Sequence, residues 1–252
     1  MVSITLPPPS NKTSFEDWNI FFDVDGTLTS TNLFDRLAKK FDFMDEHEVL
    51  RNRAIAGEFA NDFGRLFEEY LVFLSKASLK DIHDADLSEL AVIRPGLKAF
   101  FLALKHLFPG INIHLLSGGF TFHCEQIARH VESDGEKIIN NIFSNVLQSD
   151  EQGKLSSVCI VDDKAEFISQ FYKDNVSDFM TFDEFKAKSL MIGDGFNDVS
   201  AMKLLENSIA LCPTSSLVEP VASYCVPRST QPSLVMPLTL SYIIKIIANK
   251  TI

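Results

Sequence analysis

The chain has 252 residues, 46% of them hydrophobic and 23% charged, which is enough apolar side chain for a sizeable buried core and excludes a disordered composition. Its net charge of −11 argues against polyanionic partners, so no nucleic acid and no anionic membrane surface are expected, while a small phosphorylated ligand stays open because a bound cation and backbone N–H groups can reverse the field inside one pocket. Cys124, Cys159, Cys212 and Cys225 are scattered and form no CxxC pair, which points to reduced thiols in a cytoplasmic protein and away from a disulfide frame or a zinc site.

In chain order, Leu6–Ser10 is Pro-rich and reads as a loose arm. Trp18–Phe22 is a short apolar run, a buried strand, ending at the acidic turn Asp23-Val-Asp-Gly-Thr27. From about Leu33 to Leu90, apolar residues recur at three and four, as in Phe59, Phe63, Leu66, Phe67, Tyr70, Leu71 and Leu74, which predicts several amphipathic helices. Pro95-Gly96 opens a further helix and Pro109-Gly110 closes it. Ile111–Leu116 reads as a strand with Ser117-Gly118-Gly119 following at its end, and a helix is expected over about Phe120–Glu132. Further strands are expected at Ile142–Gln148, Val158–Val161, Leu190–Ile192, Ser208–Leu211 and Tyr224–Val226, with helices over about Lys164–Tyr172 and Asn197–Leu205. The apolar tail Leu234–Ile247 carries Pro237 and Lys245 and reads as too short and interrupted for a membrane span. Strands and helices alternate after residue 95, with one isolated strand before residue 30. This predicts an α/β fold with a Rossmann-like parallel sheet and a small helical cap inserted after the first strand. The core is expected over 1–32 and 93–252 and the cap over 33–92.

Ligands of open α/β sheets bind at the carboxyl ends of the strands. Four polar clusters fall there. Asp23, Asp25 and Thr27 alternate, and would share one side if the strand continued. Carboxylates this close repel unless a cation intervenes, and a hard cation such as Mg²⁺ suits them. Asp194 and Asp198, in Gly193-Asp-Gly-Phe-Asn-Asp198, add two more beside a Gly-rich turn. Ser117, Gly118 and Gly119 offer a hydroxyl and bare N–H groups near a helix N-terminus, a natural anion site. Lys164 follows two acids and opens a helix.

Asp23-Val-Asp-Gly-Thr-Leu-Thr29, Leu115-Leu-Ser-Gly-Gly119, Lys164 and Gly193–Asp198 resemble the four motifs of the haloacid dehalogenase superfamily, and the Ser-Gly-Gly-Phe form with the helical insertion resembles its phosphoserine phosphatase branch. The resemblance implies a phosphatase acting on a small phosphorylated metabolite as a monomer or homodimer. Asp23 would be the nucleophile and Asp25 the general acid and base. Mg²⁺ would be held by Asp23, the Asp25 backbone carbonyl and Asp194. Thr27, Ser117, Gly118, Gly119, Lys164 and Asn197 would serve the phosphate, and Asp198 would anchor Lys164. Lys164 is preferred for that role over Lys154, whose Gly153-Lys-Leu setting reads as a hairpin tip. The chain departs from the branch at Asn32, where a Glu meets the substrate amine, and at Phe67-Glu-Glu-Tyr70, where a cap Arg is expected; Arg65 lies nearby. Phosphoserine is disfavoured on those grounds. A phosphotransferase to an alcohol would carry the same residues, whereas a non-catalytic phospholigand-binding regulator, the remaining alternative, need not keep Asp23 and Asp25 together.

Overall fold

The computed structural model describes residues 15–59, 63–75, 77–87, 92–133 and 135–250. The Pro-rich arm lies outside them, as does the side chain of Phe63. A seven-stranded sheet in the order β4-β3-β2-β1-β5-β6-β7 organises the fold. β1 (Asn19–Phe22), β2 (Asn112–Phe120), β3 (Asn141–Ser149), β5 (Ser189–Gly193), β6 (Asn207–Leu211) and β7 (Tyr224–Val226) run parallel, and β4 (Leu155–Val158) pairs antiparallel with β3.

β1 sits at the centre, with Ile20 opposite Ile113 on one side and Leu190 on the other. All four of its residues are buried, the polar Asn19 with the apolar Ile20, Phe21 and Phe22, as a strand covered on both faces requires. Its side chains alternate between two cores. Ile20 and Phe22 join Phe101, Leu104 and Ile127 on the face covered by α5 (Leu97–Leu107), α6 (Thr121–Val131) and α10 (Pro232–Lys250). Phe21 joins Ile168, Phe185 and Met202 on the face covered by α7 (Lys164–Asn175), α8 (Phe182–Ala187) and α9 (Val199–Leu204).

Between β1 and α5 come α1 (Leu33–Lys40), α2 (Met44–Ile55), α3 (Phe63–Leu74) and α4 (Leu79–Leu87). They gather around Leu33, Leu37, Leu50, Phe67, Leu74 and Ile82, and that cluster continues into Phe120 of β2, Leu147 of β3 and Leu155 of β4. The helical block therefore shares its core with the β3–β4 hairpin. Phe34 stacks on Tyr70 at 4.3 Å and leans on Phe67 and Phe120, while Phe59 is buried in the same cluster.

Four sequence expectations need correction. β2 runs through Ser117-Gly118-Gly119 instead of stopping before it, with a shift in its pairing to β3 between Leu116 and Phe120. β4 occupies Leu155–Val158, not Val158–Val161, because it folds back on β3 through a tight turn at Gly153. α8 was not expected; it starts at a capping box in which Thr181 and Glu184 satisfy each other's backbone N–H groups. The tail is a 19-residue helix, α10, long and apolar enough by length and composition to cross a membrane. Val235, Met236, Ile243, Ile246 and Ile247 on one of its faces are buried in the sheet core, and Thr239 is buried with them.

Candidate active site

β1 ends at Phe22, so Asp23 leaves the sheet at its centre, its N–H donating to the Ile192 carbonyl at 2.9 Å. The strand does not continue through Asp25 and Thr27. The backbone turns at Gly26, whose φ of +79° lies in the left-handed region, and a Cβ there would stand 2.3 Å from Asp194 Oδ2. Glycine is thus required twice over at this position. Arg94 ties the turn down, donating from Nε to the Thr27 carbonyl at 2.6 Å and from its terminal nitrogen to the Gly26 carbonyl. Thr27 is fully buried and donates its hydroxyl to Asp194 Oδ1 at 3.1 Å, so it fixes that carboxylate and does not face a phosphate. Thr214 holds the other oxygen of Asp194 at 2.9 Å.

Lys164 opens α7 because Asp163 caps the helix, accepting from the Glu166 N–H. Its ammonium lies 2.5 Å from Asp23 Oδ1 and 2.5 Å from Asp198 Oδ1, with all three side chains buried. Burial opposes the charge of Lys164, but Asp198 and Asp23 outweigh it and hold the ammonium above its ordinary pKa. Asp198 spends its second oxygen on the N–H groups of Asp194 and Gly195, each at 2.9 Å. A Cβ on Gly193 would stand 2.3 Å from the Asp198 carboxyl, which explains the glycine before Asp194. Lys154 is exposed at the β3–β4 turn.

Burial raises the carboxyl of Asp23 well above its ordinary value, against the pull of Lys164. Burial and the neighbouring Asp198 push Asp194 up to about 7. Asp23, Asp194 and Asp198 each bring a carboxylate oxygen within 4.8 Å of the others. Buried carboxylates crowded this way strain toward a proton or a cation, so the donor set fits a hard divalent ion. The oxygens of Asp198 are already taken by Lys164 and two N–H groups. Asp23 and Asp194 line the adjoining cavity and Asp198 does not, so they are the side chains suited to such an ion.

These groups floor a cavity of about 250 Å³. Asp23, Asp25, Gly118, Gly119, Asp194 and Asn197 line one side, and Ser117 lies among them with its Oγ accepting the Gly119 N–H at 3.0 Å. The helical block walls the other side. There Asn32 caps α1, its Oδ1 accepting the Phe34 N–H at 2.8 Å. One turn on, Asp35 meets His47 Nε2 at 2.6 Å, and His47 Nδ1 meets the Tyr70 hydroxyl at 2.8 Å. Burial would raise Asp35, yet His47 and Arg51 hold it below the usual carboxylate range. Arg51 of α2 and Arg228 after β7 also line the cavity. Arg65, the arginine the sequence brought forward, pairs instead with Glu58 and Glu69 at an exposed site.

The sequence expectation thus looked for an acid at position 32 and an arginine near 65–70, whereas the cavity offers Asp35 and Arg51. Arg94, Thr214, His123 and the Asp35–His47–Tyr70 chain were also missed. None belongs to a local motif, and each reaches the site from a different element.

A family model for haloacid dehalogenase-like hydrolases matches residues 19–205. A phosphoserine phosphatase of Archaeoglobus fulgidus is 26% identical over 185 residues, covering 71% of this chain and 48% of that protein. The chain thus spans about half the length of that curated relative. Among solved structures, a substrate-bound phosphoserine phosphatase complex superposes with a TM-score of 0.70 at 20% identity, covering 91% of this chain and 99% of the other. A phospho-aspartyl intermediate analogue of phosphoserine phosphatase superposes with a TM-score of 0.66 at 21% identity, covering 83% and 92%. At these identities the superpositions speak for the fold.

Proposed function

The chain belongs to the haloacid dehalogenase-like hydrolases, and from that premise we propose that it is a Mg²⁺-dependent phosphatase that hydrolyses a small phosphomonoester through an aspartyl-phosphate on Asp23. The observation that carries the reading is the buried Asp23 carboxylate at the end of the central strand, with Oδ1 held by Lys164 and a cavity open beside it.

Asp23 attacks phosphorus while Asp25 gives a proton to the departing alkoxide. Water then attacks the phospho-aspartate, Asp25 takes its proton back, and inorganic phosphate leaves. Lys164, Ser117 and the backbone around Gly118 and Gly119 orient the phosphoryl oxygens, the positioning on which phosphoryl transfer depends. Asp23, Asp194 and the Asp25 carbonyl would hold the Mg²⁺, which neutralises charge on the phosphoryl group when bound.

The helical block, about 33–92, acts as a cap that excludes water and selects the alcohol portion of the ester. Asp35 and Arg51 present opposite charges to that portion, which favours a small polar or zwitterionic alcohol over an apolar one. They supply what Asn32 and Phe67–Tyr70 do not, and so readmit amino-alcohol and amino-acid esters as candidates.

The test is hydrolysis of an aryl phosphate with and without Mg²⁺, beside Asp23→Asn. Metal-dependent turnover that the variant loses by about 10³-fold or more is expected. Turnover that survives Asp23→Asn would refute the mechanism.

A further inference from the structure

Asp25 has two oxygens, and their surroundings differ. Oδ1 accepts the N–H of Leu33, in the first turn of α1, at 2.7 Å. It also lies 3.4 Å from Nε2 of His123 on α6. Oδ2 stands on the other side, against Gly119, where an added Cβ would be 2.9 Å from it. Gly119 belongs to the cavity wall, so Oδ2 is the oxygen turned toward substrate.

His123 is 2% exposed, and its orientation is not arbitrary. Its Nδ1 meets a terminal nitrogen of Arg36, also on α1, at 3.4 Å. A guanidinium carries donors and no acceptor, so Nδ1 must be the accepting nitrogen. A neutral imidazole with an accepting Nδ1 carries its hydrogen on Nε2, the ring nitrogen 3.4 Å from Asp25 Oδ1. The pair lies within ion-pair distance but outside hydrogen-bond geometry, and catalytic contacts of this kind commonly tighten only around substrate.

We infer that Arg36 and His123 are positioning residues that, as the site closes on substrate, join the Leu33 N–H in holding Oδ1 of Asp25 and so reserve Oδ2 for the proton passed to the leaving group. The inference rests on the phosphatase reading above for the role of Asp25. As the ester P–O bond breaks and the bond from Asp23 to phosphorus forms, the proton on Oδ2 passes to the alkoxide, leaving an alcohol and an Asp25 carboxylate. In the second step water gives its oxygen to phosphorus and a proton back to Oδ2 while the Asp23–phosphorus bond breaks, which regenerates the Asp23 carboxylate and releases inorganic phosphate. Two of the three groups on this path, Leu33 and Arg36, come from the first helix of the cap. A well-seated α1 therefore sets the acid as well as walling the pocket.

The experiment compares kcat/KM for a small alkyl phosphate and for p-nitrophenyl phosphate, with Mg²⁺, in wild type, His123→Leu, His123→Gln and Arg36→Met. An alkoxide needs its proton in the transition state and p-nitrophenolate does not. Loss of acid positioning should thus lower the alkyl value by about 30-fold and the aryl value by less than about threefold. His123→Gln, which can return an N–H near the position of Nε2, should recover most of the alkyl rate. Equal losses on both esters, or no recovery with Gln, would overturn the inference. Independently of turnover, long-range ¹H–¹⁵N spectra of the ring should report His123 protonated at Nε2, with Arg36→Met loosening that preference. A ring protonated at Nδ1 would overturn the relay even in an active enzyme, whereas loss of all turnover dependence on Asp23 would instead strike the phosphatase reading.

Discussion

The two sides of the cavity are built on opposite principles. The sheet side is a linked set of buried charges: Lys164 bridges Asp23 and Asp198, Asp198 grips two backbone N–H groups, and two threonines hold Asp194. The helical side is a packed aromatic wall of Phe34, Phe67 and Tyr70, backed by Phe120 of β2, with Asp35 and Arg51 facing the opening. Removing one partner from such a set leaves a buried charge uncompensated, so the first side tolerates substitution poorly. Apolar packing is additive and plastic, so the second can be retuned. The chemistry belongs on the rigid side and the choice of substrate on the adaptable one.

Lys164→Met strikes the rigid side hardest. It leaves two buried carboxylates without their cation, and should cost about 3–5 kcal/mol of stability in denaturant unfolding together with at least about a hundredfold in turnover. A variant that stays active would erase the contrast between the two walls. Phe67→Ala opens a cavity in the aromatic wall and should cost a comparable 3–4 kcal/mol or so, but with kcat on an aryl phosphate changed less than about fivefold. A collapse of kcat there would mean that the wall does chemistry too.

Acid offers a third comparison. His114 is buried in β2, stacked on Phe21 and held by Asn19 and Asn141, and burial, helped by Lys105, lowers its pKa to about 4. The fold prefers the neutral ring. Its contribution is complete above the unfolded value near 6.5 and is lost as pH falls from there toward about 4, amounting to about 3 kcal/mol. Unfolding free energies measured between pH 7 and pH 4 should fall accordingly, and His114→Asn should flatten that slope. The smallest effect is expected at the rim. Arg51→Ala should raise KM about tenfold for a phosphate ester bearing a carboxylate, with KM for an uncharged ester and kcat for both nearly unchanged. Equal shifts for the two esters would remove Arg51 from substrate choice.

Much of the sheet side was legible in the sequence because each part is local. An apolar run ending in an acid and a glycine turn marks Asp23, and a Gly-rich turn into a helix marks Asp194 and Asp198. The helical wall was legible as helices but not as a site. Asp35, His47 and Tyr70 come from three helices, and no period relates them. Arg94 and Thr214 act on backbone and carboxylate positions far away in the chain, which spacing cannot express. Thr27 misled for a related reason: alternation along a strand was extended past the point where Gly26 turns the backbone. The β4 strand was displaced because Val158–Val161 looks like a buried run, whereas the segment that pairs is the alternating edge Leu155–Val158.

The central place of β1 also says something about when the site comes into being. Asn19–Phe22 finds its neighbours at Asn112–Leu115 and Ser189–Ile192, so most of the chain must be made before both flanks of that strand are paired. Closing loops of such length is slow, and chain synthesis delivers the last partner late. Asp23 is thus among the last groups to be seated, and a nascent chain halted before Ser189 would hold it on a bare sheet edge, a species for chaperones.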